Sequence, residues 1–122
     1  MKNIKITNQS NPDGLPITAK YCDTFMCRFR GLMMQKSISP KLGLLLVEAE
    51  ASKVNASIHM LFMKFDIAAI WINEELKVVD TVLAKKWKPL YIPQAPAKYI
   101  LETHPSHLAD FHAGDQLEFN DA

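Results

Sequence analysis

The longest unbroken apolar runs in this 122-residue chain are short: Leu44 to Val47 and Ile67 to Ile72. Runs of that length, bounded by turn-forming residues, suit strands rather than long helices. They also fall far short of the ~18 residues that a membrane-crossing helix needs. The chain is therefore expected to build its core from several short strands.

Ile4 to Thr7 reads as a first strand, and Asn8 to Gly14 (NQSNPDG) as a loop dense in turn formers. Gly43 to Glu48, Ser57 to Met63, Ala68 to Ile72, Leu76 to Leu83, Ala97 to Thr103 and Gln116 to Phe119 supply further strand candidates. Asn73-Glu74-Glu75 suggests a hairpin between two of them. Trp87 to Gln94, with its two prolines, reads as an extended crossing loop, and Pro105 to His112 as a short helix. One segment has helical periodicity. Cys22, Phe25, Met26, Phe29, Leu32 and Met33 recur at spacings of three and four, opposite Lys20, Asp23, Thr24 and Arg30. This predicts a helix over roughly Ala19 to Arg30, capped by Thr18, ended near Gly31 and packed on the sheet through Cys22, Phe25, Met26 and Phe29. About seven strands and one helix imply a mainly β fold: a small antiparallel β-sandwich or barrel-like domain with one packed amphipathic helix. No linker or repeat divides the chain, so residues 1–122 are read as one domain.

Fourteen Lys and Arg against thirteen Asp and Glu leave a formal net charge of +1, so there is no general pull toward nucleic acid or anionic membrane. Any such attraction has to come from a local patch. The opening MKNIKITNQS lacks the apolar core of a secretion signal, which makes the cytoplasm the expected compartment. There Cys22 and Cys27 are expected to be free thiols. Five residues apart on one helix, their side chains would diverge by about 140°, too far for a disulfide.

Several segments occur together in an order that resembles the domain of unknown function 192 family. They are Arg28-Phe29-Arg30-Gly31-Leu32-Met33, Gly43-Leu44-Leu45-Leu46, Ile58-His59-Met60 through Phe65-Asp66-Ile67, Val78-Val79-Asp80, Tyr99-Ile100-Leu101-Glu102 and Gly114-Asp115. The resemblance spans nearly the whole chain and implies a small β-sandwich or barrel-like fold with one packed helix. It implies no agreed activity, substrate or cofactor. The chain departs from the family pattern at two places: His59 stands where many members carry a tryptophan, and Asp66-Ile67-Ala68 replaces a Pro-Leu-Asp or Pro-Ile-Asp triplet. Many relatives look exported, which this chain does not.

The most distinctive surface candidate is Lys85-Lys86-Trp87-Lys88-Pro89-Leu90-Tyr91. Three ammonium groups beside an indole and a phenol can hold a phosphate, a carboxylate or a stacked base, with Arg28 and Arg30 adding bidentate contacts if the fold brings them near. Between Asp80 and Lys98 there are four lysines and one aspartate, whereas from Tyr99 onward there are five acidic residues and no Lys or Arg. That contrast implies a local positive field and an anionic small molecule or acidic protein surface as partner. It is a weak nucleic-acid signal, because the patch is short. The plainer alternative is a solvated loop pinned by Trp87 and Tyr91.

His59, set among apolar residues, is a second candidate: a general base working with Asp66 or Asp80, or else a hydrogen-bonded core histidine. His104, His107 and His112 near Glu102 and Asp110 contain metal-ligating residue types, but Pro105 and the five-residue step to His112 favour a polar surface turn. No metal or cofactor is expected. Met26, Met33, Met34, Met60 and Met63 fill space between helix and sheet or line an adaptable groove. Two functional classes follow: a non-catalytic binding module for an anionic ligand or acidic partner, and a small enzyme using His59 with a carboxylate in a pocket.

Overall fold

The computed structural model describes residues 2–122. Its elements in chain order are β1 (Asn3–Asn8), β2 (Ile17–Cys22), α1 (Phe25–Arg30), β3 (Leu42–Ser52), β4 (Ile67–Ile72), β5 (Val78–Ala84), β6 (Ala97–Thr103), a 3-10 helix (Pro105–Asp110) and β7 (Leu117–Asp121). The strands form one sheet in the order β5-β4-β6-β3-β2-β1-β7, curled into a half-barrel. Only the β2–β3 pair is parallel; the others are antiparallel. The two edges approach at one end, where the Leu117 amide donates to the Leu76 carbonyl at 2.8 Å and the Val78 amide to Asp115 at 2.9 Å. The mainly β barrel-like fold expected from the sequence is thus the fold observed.

Strand alternation divides the core into two layers. Along β3, Leu44 and Leu46 face one side while Leu45 and Val47 face the other. β4 has no exposed residue, because it is paired on both edges and covered on both faces. Ala68, Ile70 and Ile72 join Ile6, Ile17, Leu101 and Leu117 beneath the 3-10 helix, whereas Ala69 and Trp71 meet the irregular segments that cover the other face. Trp71 pins that cover through its indole N–H, which donates to the Ala56 carbonyl at 2.7 Å.

Three expectations are corrected here. The count of seven strands holds, but Ile17–Cys22 is a strand and Ser57 to Met63 is not. Ser57 to Met63 has one β-bridge, Ile58 to Tyr91, and otherwise meets the fold through scattered hydrogen bonds to loops, with a tight turn of its own closed by Met63 N–H to Met60 O. The helix is six residues, not twelve. Its N-cap is Thr24, whose hydroxyl accepts from the Cys27 amide at 3.2 Å, and it stops at Gly31 as expected. It buries none of its residues: Phe25 and Met26 are each 69% exposed and Phe29 is 54% exposed. The apolar spacing therefore ran across two elements, with Cys22 ending β2 and the phenylalanines on an outward-facing turn. For the same reason the cysteines are not free. Cys22 lies outside the helix, the Asp23-Thr24 bend folds the chain back, and Cys22 and Cys27 form a disulfide with Cα atoms 5.7 Å apart. The free thiols expected from a reducing compartment are thus replaced by a disulfide.

Candidate functional site

β6 turns Ile100 and Glu102 toward the irregular cover, and the sheet register sets Glu102 between Leu44 of β3 and Ala69 of β4. A carboxyl group is thus placed in the middle of the sheet, 5% exposed. Among the described residues no donor hydrogen-bonds to it. Burial alone pushes its pKa from the ordinary 4.5 to about 7, since an ionised carboxylate there is poorly solvated. Above it the chain turns at Gly31 with φ +49°, and a Cβ at that position would stand 3.2 Å from the Glu102 Oε1. Glycine is what allows the helix end to close over the carboxyl group.

The gap between sheet and cover is a cavity of about 270 Å³. Leu32, Met63 and Ile100 give it apolar walls, and Arg28, Arg30, Glu48, His59 and Glu102 give it charge and hydrogen-bonding capacity. His59 is held by Phe29: its Nε2 lies 3.2 Å from the Phe29 carbonyl and the two rings are 5.5 Å apart. A carbonyl only accepts, so Nε2 carries the proton that it donates. In the neutral ring Nδ1 is then the basic nitrogen, and it is buried without a hydrogen-bond partner. Arg28 ties the helix to β3. Its Nε donates to Glu48 Oε2 at 2.8 Å, and its Nη1 to the Asp23 carbonyl at 2.6 Å and the Val47 carbonyl at 3.3 Å. Arg30 is exposed and, among the described residues, has no acidic partner within ion-pairing distance. With Arg28 balanced by Glu48, and Glu102 protonated below about pH 7, the lining there carries one uncompensated positive charge.

Arg28, Arg30 and His59 therefore share one cavity with Met33, Met63 and Glu102, whereas Asp66, Asp80, the Lys85 to Tyr91 run and the other three histidines lie outside its lining. Asp66 accepts from the Lys86 amide at 2.9 Å and pairs with Lys85 Nζ at 3.6 Å. Asp80 accepts from the Thr81 amide and from the amide and side chain of Gln94. Both aspartates hold loops. Lys85, Lys86, Trp87 and Lys88 are exposed; Lys88 Nζ lies 4.7 Å from the Tyr91 ring centroid, and the Tyr91 hydroxyl accepts from the Lys85 amide. His104 bonds to Ser106, His107 lies between Asp110 and the Pro40 carbonyl, and His112 sits 3.9 Å from Asp115. These histidines thus hold separate turns, and among the described residues no three His, Cys, Asp or Glu side chains gather as a metal-binding group would. Met60 and Met63 are core residues and Met33 packs against them, whereas Met26 and Met34 are exposed. The sequence sets Glu102 beside His104, His107 and His112, whereas the fold places it in this cavity with His59. The signal of Glu102 is a lone acid in Tyr99-Ile100-Leu101-Glu102-Thr103, a strand otherwise short of charge.

The model of the domain of unknown function 192 family, described as uncharacterized, matches residues 6–119. A UPF0127 protein of Thermococcus kodakarensis is 48% identical over 83 residues, which cover 68% of this chain and 51% of that protein. The chain thus matches about half the length of that relative. A UPF0127 protein of Pyrococcus furiosus is 38% identical over 107 residues, covering 85% of this chain and 88% of that one. Among solved structures, a protein of Sinorhizobium meliloti 1021, called a "putative transcription regulator", superposes with a TM-score of 0.83 at 18% identity. That match covers 97% of this chain and 92% of the other. A protein of unknown function from Novosphingobium aromaticivorans DSM 12444 gives 0.80 at 16% identity, covering 95% and 83%. At such identities the two structures establish the shared fold.

Proposed function

This chain belongs to the domain of unknown function 192 family, and we propose that it is a binding protein for a small anionic molecule held in the Glu102 cavity. The observation that carries this reading is a buried carboxyl group, uncharged below about pH 7 and without a protein donor, facing a cavity whose Arg30 has no acidic partner. Such a site pairs an anion with Arg30 and with the free Nη2 of Arg28. Protonated Glu102 donates its O–H to a ligand oxygen, and His59 Nδ1 accepts from a ligand hydroxyl or amine. At about 270 Å³ the cavity lies just below the range of drug-sized ligand sites, which suits a compact carboxylate or phosphate.

Ionisation of Glu102 places a negative charge beside the bound anion, so affinity should fall as pH rises through about 7. The test is amide chemical-shift mapping with small hydroxycarboxylates and phosphate monoesters on either side of that pH. Shifts centred on Gly31, His59 and Glu102, lost in Arg30→Ala, support the reading. If no anion moves these amides, it is wrong.

One observation favours a second reading, acid–base catalysis. A carboxyl group with a pKa of about 7 and a histidine with an unpaired basic nitrogen line the same cavity. The Ser57 hydroxyl, also in the lining, donates to the Val54 carbonyl rather than to His59, so an activated nucleophile is not part of it. Solvent exchange at the α-carbon of a bound carboxylate, abolished by His59→Gln, would distinguish a catalyst from a binder.

A further inference from the structure

Three tight turns whose third residues lie outside the cavity lining share an unusual feature. The turns Leu32 to Gln35, Met60 to Met63 and Lys85 to Lys88 are each closed by a hydrogen bond from the fourth amide to the first carbonyl. In each, the third residue has a positive φ: Met34 at 66°, Phe62 at 63° and Trp87 at 69°. Glycine is the residue such positions favour, and a bulky side chain there is strained. All three side chains are apolar, and they are 60%, 52% and 56% exposed. The fold also brings them together. The Met34 amide donates to the Phe62 carbonyl at 3.2 Å, the Trp87 amide to Met60 at 2.7 Å, and the Phe62 and Trp87 rings meet edge to face at 5.1 Å. Strained turns that hold large apolar groups in water bring no burial to the fold, which points to a role outside it.

Charge narrows that role. Each turn carries exposed lysine within two residues of its apolar tip: Lys36, Lys64, and Lys85, Lys86 and Lys88. Lys85 pairs with Asp66 and Lys88 leans on Tyr91, while Lys36, Lys64 and Lys86 have no acidic partner among the described residues. Within the three turns there is no Asp or Glu. We propose that this cluster is a docking surface for an anionic lipid bilayer, with Met34, Phe62 and Trp87 entering the headgroup region and the lysines meeting lipid phosphate and carboxylate. A bilayer accepts separate protruding apolar tips without a matching cavity, and aromatic and basic residues are suited to its interface. The near-neutral chain acquires through this patch a membrane attraction that its net charge conceals. The proposal is independent of the cavity: Glu102 and Arg30 are not needed for it.

The probe is vesicles of phosphatidylserine and phosphatidylcholine in equal amounts, beside vesicles of phosphatidylcholine alone. Of the two tryptophans, Trp71 is 1% exposed and Trp87 is 56% exposed, so a blue shift in emission on binding reports Trp87. The expected result is co-sedimentation and a blue shift with the anionic vesicles, weakened at least tenfold by high salt and absent with phosphatidylcholine. Trp87→Gly and Phe62→Gly should melt at the same temperature as the parent or higher and lose binding. Lys64→Glu with Lys86→Glu should lose it too. Binding that survives these substitutions, or no binding to anionic vesicles, overturns the proposal. An equal blue shift with soluble poly-glutamate also overturns it, and assigns the surface to acidic proteins instead.

Discussion

Gly31 and Glu102 approach so closely that a methyl group on Gly31 would stand 3.2 Å from the Glu102 Oε1. The contact joins the end of α1 to the middle of the sheet and sets the roof height of the cavity. Gly31 also has φ +49°, where an L side chain is strained. Gly31→Ala should therefore cost ~1–2 kcal/mol in a denaturant melt, and should shift the His59 and Glu102 resonances while leaving those of β1 and β7 in place.

Burial of Glu102 makes stability depend on pH. Its pKa in the folded protein is about 7 against 4.5 for an ordinary carboxyl, so the folded state holds the proton more tightly than the unfolded state. The contribution is fully present below about pH 4.5 and is lost as pH rises through about 7. From the spacing of the two values it amounts to ~3 kcal/mol. Urea melts at a series of pH values should show that decline, and Glu102→Gln should flatten it. A Gln variant with an unchanged pH profile would place the titration elsewhere.

The Cys22–Cys27 disulfide closes a loop of only five residues' separation, so it restrains the unfolded chain modestly. Its removal should cost about 2 kcal/mol. Thiol titration of the denatured protein should find no free thiol before reduction. Melting with dithiothreitol should then lower the midpoint without abolishing cooperative unfolding, since Cys22 is one buried residue among many in the sheet core.

Phe25 and Trp71 make a contrasting pair. Phe25→Ala removes a side chain that is 69% exposed and should change stability by less than ~1 kcal/mol. Trp71→Ala empties a site that is 1% exposed and should cost ~3–5 kcal/mol.

What could be read beforehand depended on how local the cause was. Ile67 to Ile72 declared itself because a strand covered on both faces is apolar at every position. Gly31 was recognisable as a helix end from its residue type alone. The spacing of Cys22, Phe25 and Phe29 misled because a period of three to four residues says which side chains align, not whether anything covers them. Ser57 to Met63 is apolar because it roofs one face of the sheet, a role that composition does not distinguish from strand pairing. The cavity was legible only in pieces. Arg28, Arg30 and His59 each stand out by residue type, but nothing local brings His59 to the Phe29 carbonyl or seats Glu102 between Leu44 and Ala69.

The β1–β7 pair carries a kinetic consequence. Ile4 lies opposite Asp121 and Ile6 opposite Phe119, so this ladder joins opposite ends of the polypeptide. Closing so large a loop is entropically unfavourable until much of the intervening sheet exists. The β4–β5 hairpin, whose strands are neighbours in sequence, can form early, whereas β7 docks late and at an edge of the sheet. In hydrogen exchange its amides should therefore be among the first of the sheet to open, through a local fluctuation that leaves β3, β4 and β6 protected.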